Sequence, residues 1–275
     1  MDYEYARKRI GQFLRDFLSK ASVKGYVMGL SGGVDSSVTL TLAVKEVGRD
    51  KVTVLIMPDK DTTPKEDVED AIELAESLGV KYYLIEISSI VKRYSEVLPF
   101  FDYGHKIATG NLRARIRMSI LYYYANKYGL AVMGTGDKSE LLLGYFTKYG
   151  DGGVDVLPIG DLYKTQVRMM GRYLGVPEKI VTKPSSPRLW PGHMAEEELG
   201  FTYDVIDAVL YRYVDLGESI DEIAEETGIS RDVISAIIKR VHVNEHKRLP
   251  PIIPRVSKHA LTHDWVMPWY SKPTE

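Results

Sequence analysis

Apolar positions along this chain repeat with two different periods. Residues 3–20 place Ala6, Ile10, Phe13, Leu14 and Phe17 on one side, the spacing of an amphipathic helix. Short apolar runs follow at about 24–30, at Val52 to Met57 before Pro58, at Tyr82 to Ile85, and at Leu130 to Met133. Runs of this length, apolar at nearly every residue, suit strands buried on both faces. Val154 to Leu157 supplies a fifth, shorter candidate. Between the runs the helical period returns. Val38, Leu42, Val44 and Val47 bury one face of a helix, and 65–78 turns Val68, Ala71, Ile72, Ala75 and Leu78 inward with Gly79 as its C-cap. Longer patterns predict helices over about 105–128 and 163–174.

Apolar strands alternating with amphipathic helices predict an α/β fold. The expected form is doubly wound, a mainly five-stranded parallel sheet with helices on both faces and a C-terminal helical extension over about 202–248. All 275 residues read as one domain. Its core takes about 20–180, and residues 183–200, rich in Pro, Ser and Gly, read as a mobile loop.

Ligands in such sheets bind beyond the carboxyl ends of the strands. The first such end is Leu30-Ser31-Gly32-Gly33-Val34-Asp35-Ser36-Ser37. A strand that breaks into small residues and then a helix makes an anion-binding corner, with free N–H groups and a favourable helix dipole. The loop lacks the lysine of GxxxxGK[ST] and carries Asp35 instead, an oxygen donor suited to Mg²⁺. The plainer reading is a Gly-Ser turn.

Gly134-Thr135-Gly136-Asp137-Lys138-Ser139-Glu140 stands where the fourth strand ends. Glu140 is either a second carboxylate facing Asp35 at an Mg²⁺ site or part of an ordinary capped helix start. On the long helix, Arg113 and Arg117 share a face while Arg115 points almost opposite, so no single basic patch forms. Arg115 flanks Leu112, Ile116 and Ser119 and is the arginine expected nearest the core. Its partner is a structural carboxylate or a bound anion. Residues 146–155 pack an ammonium, aromatic rings, glycines and two carboxylates into one loop. Lys164 sits at the positive end of the 163–174 helix. There it is either solvated or offset by an anionic ligand.

Charge and composition narrow the classes. A net charge of −2 gives no general attraction for nucleic acid. No apolar run approaches the ~18 residues of a membrane span, and the first residues show no signal-peptide pattern. A cytoplasmic protein with no membrane partner is the expectation. The absence of cysteine excludes disulfides, thiolate zinc sites and a cysteine nucleophile. Gln12, Gln166, Asn111, Asn126 and Asn244 are the only Asn and Gln, beside 27% charged residues, which suggests a heat-adapted source. Residues 219–237 have the spacing of a helix-turn-helix. Asp221, Glu222, Glu225 and Glu226 would repel DNA, which favours a structural helix pair leading His246 and Lys247 to the site.

SGGVDSS resembles the pyrophosphate loop of the N-type ATP pyrophosphatases, which cleave ATP between its α and β phosphates. Together SGGVDSS, NLRARIR, GTGDKSE, GYFTKYGDGGVD, LYKTQV and NEHKRLPP resemble the NAD synthetases, in order and approximate spacing, over about residues 5–255. The resemblance implies an adenine nucleotide alpha hydrolase-like fold and ammonia-dependent synthesis of NAD from deamido-NAD and ATP. The carboxylate would be adenylylated, and AMP and pyrophosphate released. It also implies ATP contacts from Gly29, Leu30, Ser31, Gly32, Gly33, Val34, Asp35, Ser36, Thr135, Lys164 and Ser186. Mg²⁺ would rest on Asp35 and Glu140, with Asp35 and Lys164 as the catalytic residues. Arg115, Lys148, Asp155, His246 and Lys247 would contact deamido-NAD.

Pro187-Arg188-Leu189 departs from the small and acidic residues the family carries after Ser186. Residues 183–200 would shield the reactive intermediate as a lid. The resemblance further implies a homodimer with the dinucleotide site completed near the interface, for which Met118 to Tyr124 is the candidate surface. Glutamine-hydrolysing partners typically use a cysteine, so free ammonia or a separate donor protein is expected. GMP synthetases and tRNA-modifying enzymes share SGGxDS and are the alternative; the thiolating ones commonly need cysteines.

Overall fold

A computed structural model describes residues 1–259 of the chain. Its elements run α1 (Tyr3–Lys20), β1 (Tyr26–Gly29), α2 (Val34–Val47), β2 (Val52–Ile56), α3 (Lys65–Ser77), β3 (Lys81–Leu84), α4 (Ser88–Val97) and α5 (Lys106–Tyr128). They continue with β4 (Ala131–Val132), α6 (Lys138–Leu143), α7 (Lys164–Leu174), α8 (Glu178–Val181), α9 (Ala195–Leu199), α10 (Tyr203–Leu210), α11 (Ile220–Thr227), α12 (Arg231–Val243) and α13 (Glu245–Arg248). A π-helical turn, Tyr211–Leu216, joins α10 to α11.

The sheet is parallel, in the order β3-β2-β1-β4, with Tyr26 opposite both Val52 and Ala131. Alternate residues feed opposite layers. Tyr26, Met28, Val54 and Ile56 pack with Leu14, Leu40, Ala71 and Leu74 from α1, α2 and α3. Val27, Leu55 and Val132 pack with Val91, Ile116 and Ala125 from α4 and α5. The doubly wound expectation holds.

The fifth strand does not form. It is reduced to one parallel bridge between Met133 and Val156. The Val132 N–H is taken by the Asp155 side chain at 2.7 Å rather than by a backbone carbonyl. Pro158, two residues on, has no N–H with which to extend a ladder.

Two other expectations change. The α2 helix is buried around most of its circumference. Val34, Val38 and Leu42 meet Val167, Met170 and Val181 of α7 and α8, while Leu40 and Ala43 enter the sheet core. On α5, Arg113 is the buried arginine and Arg115 is exposed. Arg113 donates through Nε to the buried Asp59 at 2.5 Å, and Arg117 donates to the Met57 carbonyl at 2.9 Å. Burial alone would push Asp59 up, but the bonds from Arg113, the Asp61 N–H and Ser88 hold it below the usual carboxylate range.

A second core joins α6 to α9–α12 around Leu143, Tyr203, Ile206, Val209, Ile223, Ile234 and Ile237. The α11–α12 pair turns at Gly228 and buries its apolar side here, with acidic residues outward. It leads into α13, where Lys247 donates to the carbonyls of Gly144 (2.6 Å) and Phe146 (3.0 Å). Residues 183–194 are irregular. Lys183 is tied to Asp67 (2.8 Å) and Asp70 (2.5 Å), and Arg188 to Asp67 (2.8 Å). Among the described residues no helix is long and apolar enough to cross a membrane.

Candidate active site

Gly32 shapes the loop between β1 and α2. Its φ is +77°, and a Cβ there would lie 2.1 Å from the Asp67 carbonyl oxygen at the start of α3. Only glycine meets both demands. The α2 helix then begins at Gly33 with no side-chain cap, leaving first-turn N–H groups available to an anion. Ser36 fixes the loop from within: its Oγ accepts from the Ser31 N–H and donates to the Gly33 carbonyl, both at 3.2 Å.

Three helix starts converge beside this loop. The α2 start brings Asp35, α6 brings Asp137 and Glu140, and α7 brings Lys164. The Lys164 side chain has no exposed surface, which rules out the solvated alternative. Its Nζ lies 2.7 Å from Asp35, 2.9 Å from Glu140 and 3.0 Å from Asp137. Asp137 and Glu140 also form a capping box. Asp137 Oδ1 accepts from the Glu140 N–H (2.8 Å), and Glu140 Oε2 accepts from the Asp137 N–H (3.3 Å). Each carboxylate thus gives one oxygen to the helix start and the other to Lys164, so the capped helix start is the reading of Glu140 that the structure shows. Asp207 of α10 braces the α7 start, accepting from Ser139 (2.5 Å) and the Thr165 N–H (2.8 Å).

Burial governs the charges in this cluster. By itself it would discharge Lys164, but Asp137, Asp35 and Glu140 hold the ammonium protonated far more firmly than a free lysine. Burial pushes Asp137 up to about 6, although Lys164 pulls it down, with Asp35 adding to the upward push. Glu140 is raised for the same first reason. The cluster carries more carboxylates than cations, and Asp35 Oδ1 is buried with no hydrogen-bond partner among the described residues. A further cation would relieve both conditions.

A cavity of about 500 Å³ opens over the loop. Gly29, Leu30, Ser31, Gly33, Val34, Asp35, Ser36, Thr135, Glu140, Ser186 and Lys247 lie on its wall. Gly32 and Lys164 stand behind the wall, Lys164 through its contact with Asp35. Arg115, Lys148, Asp155 and His246 are not on the wall. Their contacts run outside it: Arg115 donates to the Lys148 carbonyl (3.2 Å), and Lys148 donates to the His246 carbonyl (2.5 Å). Asp155 accepts from the Val132 N–H (2.7 Å) and the Tyr122 hydroxyl (3.0 Å).

The structure adds residues that sequence reasoning did not single out. Asp137 was visible only as part of GTGDKSE. Arg117 and Tyr145, which belong to NLRARIR and GYFTKYGDGGVD, line the cavity; so do His193 and Glu198, and Lys183 both lines it and reaches Asp67 and Asp70. Nothing in the local spacing of His193, Glu198 or Lys183 marks them.

The sequence model of the NAD synthase family matches residues 6–251. The chain is 54% identical over 271 residues to the NH(3)-dependent NAD(+) synthetase of Staphylothermus marinus, covering 98% of this chain and 94% of that one. It resembles the solved NMN synthetase of Francisella tularensis with TM-score 0.81 and 34% identity, over 92% of this chain and 99% of that one. It also resembles the NH3-dependent NAD synthetase of Campylobacter jejuni, solved with nitrate, with TM-score 0.77 and 31% identity, over 93% and 100%. Relatives from thermophilic archaea agree with the scarcity of Asn, Gln and Cys. A family match across nearly the whole chain, on a parallel sheet ending in a glycine corner with Asp35, Glu140 and Lys164 gathered beside it, identifies this chain as a member of the NAD synthase family.

Proposed function

We propose that the chain amidates deamido-NAD with ammonia in an ATP-dependent reaction, forming NAD and releasing AMP and pyrophosphate. The observation that carries this reading is the uncapped start of α2 with Lys164 held against Asp35 and Glu140 beside it. A carboxylate is a poor electrophile because its charge repels nucleophiles. Transfer of AMP to one of its oxygens creates a mixed anhydride that ammonia can attack. Such chemistry needs positioning and charge neutralisation more than a covalent nucleophile. The α2 amides receive phosphate oxygens, and Lys164 offsets charge as pyrophosphate departs. Asp35 and Lys164 are the catalytic pair. Thr135 and Ser186 contact ATP.

The donor set fits Mg²⁺. Asp35 and Glu140 both reach Lys164 Nζ, which sets two hard-oxygen carboxylates side by side, and Asp35 Oδ1 is unpartnered among the described residues. Mg²⁺ usually takes one or two carboxylates and completes its shell with phosphates and water. No group of three His, Cys, Asp or Glu among the described residues is arranged to hold a metal by itself. Bound there, the ion supplies positive charge to the phosphates. Lys247 on the cavity wall and Arg115, Lys148, Asp155 and His246 outside it contact deamido-NAD. Exposed Tyr83 and Tyr128 both pack against Tyr124, with ring centroids 5.6 and 4.5 Å apart, and a second copy of the chain covers this aromatic face of α5 in a homodimer. With no cysteine to attack a glutamine amide, the nitrogen arrives as ammonia.

Incubation with ATP, deamido-NAD, Mg²⁺ and an ammonium salt yields NAD, AMP and pyrophosphate in equal amounts. ADP with orthophosphate, or no product, would overturn the reading. The likeness to an NMN synthetase favours a second acceptor, nicotinic acid mononucleotide. The 54% identity to the NAD(+) synthetase of Staphylothermus marinus, against 34% to the NMN synthetase, supports the dinucleotide as the first acceptor. Faster amidation of the mononucleotide in the same assay would reverse that order.

A further inference from the structure

One wall of the cavity carries titratable side chains that adenylylation does not use. His193, just before α9, is 3% exposed and lies face to face with Trp190, ring centroids 3.4 Å apart. Its Nε2 is 2.6 Å from Glu198 Oε2 and 3.2 Å from the Tyr145 hydroxyl. Tyr145 donates to the same Glu198 oxygen at 2.8 Å. A carboxylate only accepts, and the tyrosine proton is already directed to it. Nε2 is therefore the protonated ring nitrogen, and Nδ1 keeps its lone pair.

Nδ1 is buried and has no hydrogen-bond partner among the described residues. His193, Tyr145, Glu198 and Trp190 all lie on the cavity wall. Ser186, which is proposed to contact ATP, donates its hydroxyl to the His193 carbonyl. The charges that bear on the imidazole are Glu198, which favours its protonation, and Lys106, which opposes it. Arg240 lies over the Tyr145 ring, 5.7 Å from its centroid. Burial outweighs Glu198 and holds His193 below the ordinary histidine range, so the ring is neutral near pH 7. A neutral imidazole with a buried lone pair accepts a hydrogen bond from a small N–H donor and then its proton.

We propose that His193 Nδ1 receives ammonia and takes the proton it sheds in the second half of the reaction, an inference that rests on the amidation reading. The ammonia lone pair forms the C–N bond to the adenylylated carboxyl carbon. The C–O bond to AMP breaks, and its electron pair leaves on the AMP phosphate oxygen. The nitrogen, cationic after attack, passes one proton to Nδ1. Glu198 holds the resulting imidazolium through the Nε2–H, and the proton gained at Nδ1 later passes to solvent, which restores the neutral ring.

Two rates separate this role from a packing role. Exchange of labelled pyrophosphate into ATP, with deamido-NAD and no ammonium, reads adenylylation. NAD formation reads the whole sequence. In His193→Gln, which keeps a hydrogen-bonding acceptor but cannot take a proton at neutral pH, the ratio of NAD formation to exchange falls at least tenfold. Glu198→Gln lowers the same ratio by a smaller factor, and raising the pH from 7 to 9 partly restores His193→Gln as solvent base takes over. Equal losses in both rates, or an unchanged ratio, would overturn the proposal. Parent protein that gives neither exchange nor NAD would overturn the amidation reading and this inference with it.

Discussion

The two ends of the proposed site treat positive charge in opposite ways. At the loop end, Lys164 is wholly buried and touches three carboxylates, two of which also cap a helix. At the outer end, Arg115 is exposed, and it and Lys148 donate to backbone carbonyls. An interior ammonium cannot be left unpaired, because desolvation would cost several kcal/mol. A peripheral cation bonded to a carbonyl stays partly hydrated and can change partner at little cost. The inner set is therefore a fixed electrostatic frame, whereas the outer set can exchange partners at little cost.

The contrast can be broken most forcefully at Lys164. Lys164→Met leaves its carboxylates without their ammonium and should lower stability by ~3–5 kcal/mol. The sign with pH follows from Asp137. Its folded carboxyl sits at about 6 against an ordinary 3.8, so the folded state holds the proton more tightly. Stability from this group is fullest below about pH 4 and is lost as pH rises through 6. Without Lys164 the carboxyl moves higher still, and the loss extends above pH 6. Thermal melts in chelator from pH 5 to 8 should show the variant recovering on acidification. A deficit independent of pH would mean that lost packing, not unpaired charge, is responsible.

Asp35→Asn tests the same frame more gently. It keeps shape and the Lys164 contact but removes charge, so turnover should fall at least a hundredfold while circular dichroism and melting stay close to the parent. Near-normal turnover would remove Asp35 from the metal and phosphate chemistry. The smallest effect belongs to the outer end. Lys148→Ala should raise the KM for deamido-NAD several-fold and leave that for ATP nearly unchanged. Equal changes in both would erase the distinction between the two ends.

Much of this was legible in the residues. Four strands, the long α5 helix and the anion corner follow from short-range patterns, because apolar period and turn chemistry are local. The approach of Glu140 and Asp35 was within reach as well, since both open helices at the carboxyl edge of the sheet. What escaped depended on distant partners. Helical geometry correctly set Arg113 and Arg117 apart from Arg115, but not which side faced inward. That phase is set by Asp59, far away in sequence and buried at the end of β2. The fifth strand failed for a similar reason: Asp155 competes for an N–H that the pattern of apolar residues cannot see. Lys183 and His193 find their roles only against α3 and Glu198, contacts no local spacing encodes.

Lys183 also approaches the Gly32 carbonyl, at 3.3 Å, while holding Asp67 and Asp70. The same Asp67 backbone presses on Gly32 from the other side. One side chain thus pins the 183–194 segment, the head of α3 and the nucleotide loop at a single joint. If that segment swung away, Asp67 would lose both Lys183 and Arg188, Asp70 would keep only Lys179, and the Gly32 carbonyl would lose its lysine, so in the proposed reaction opening for product escape and a looser hold on pyrophosphate would be one mechanical event.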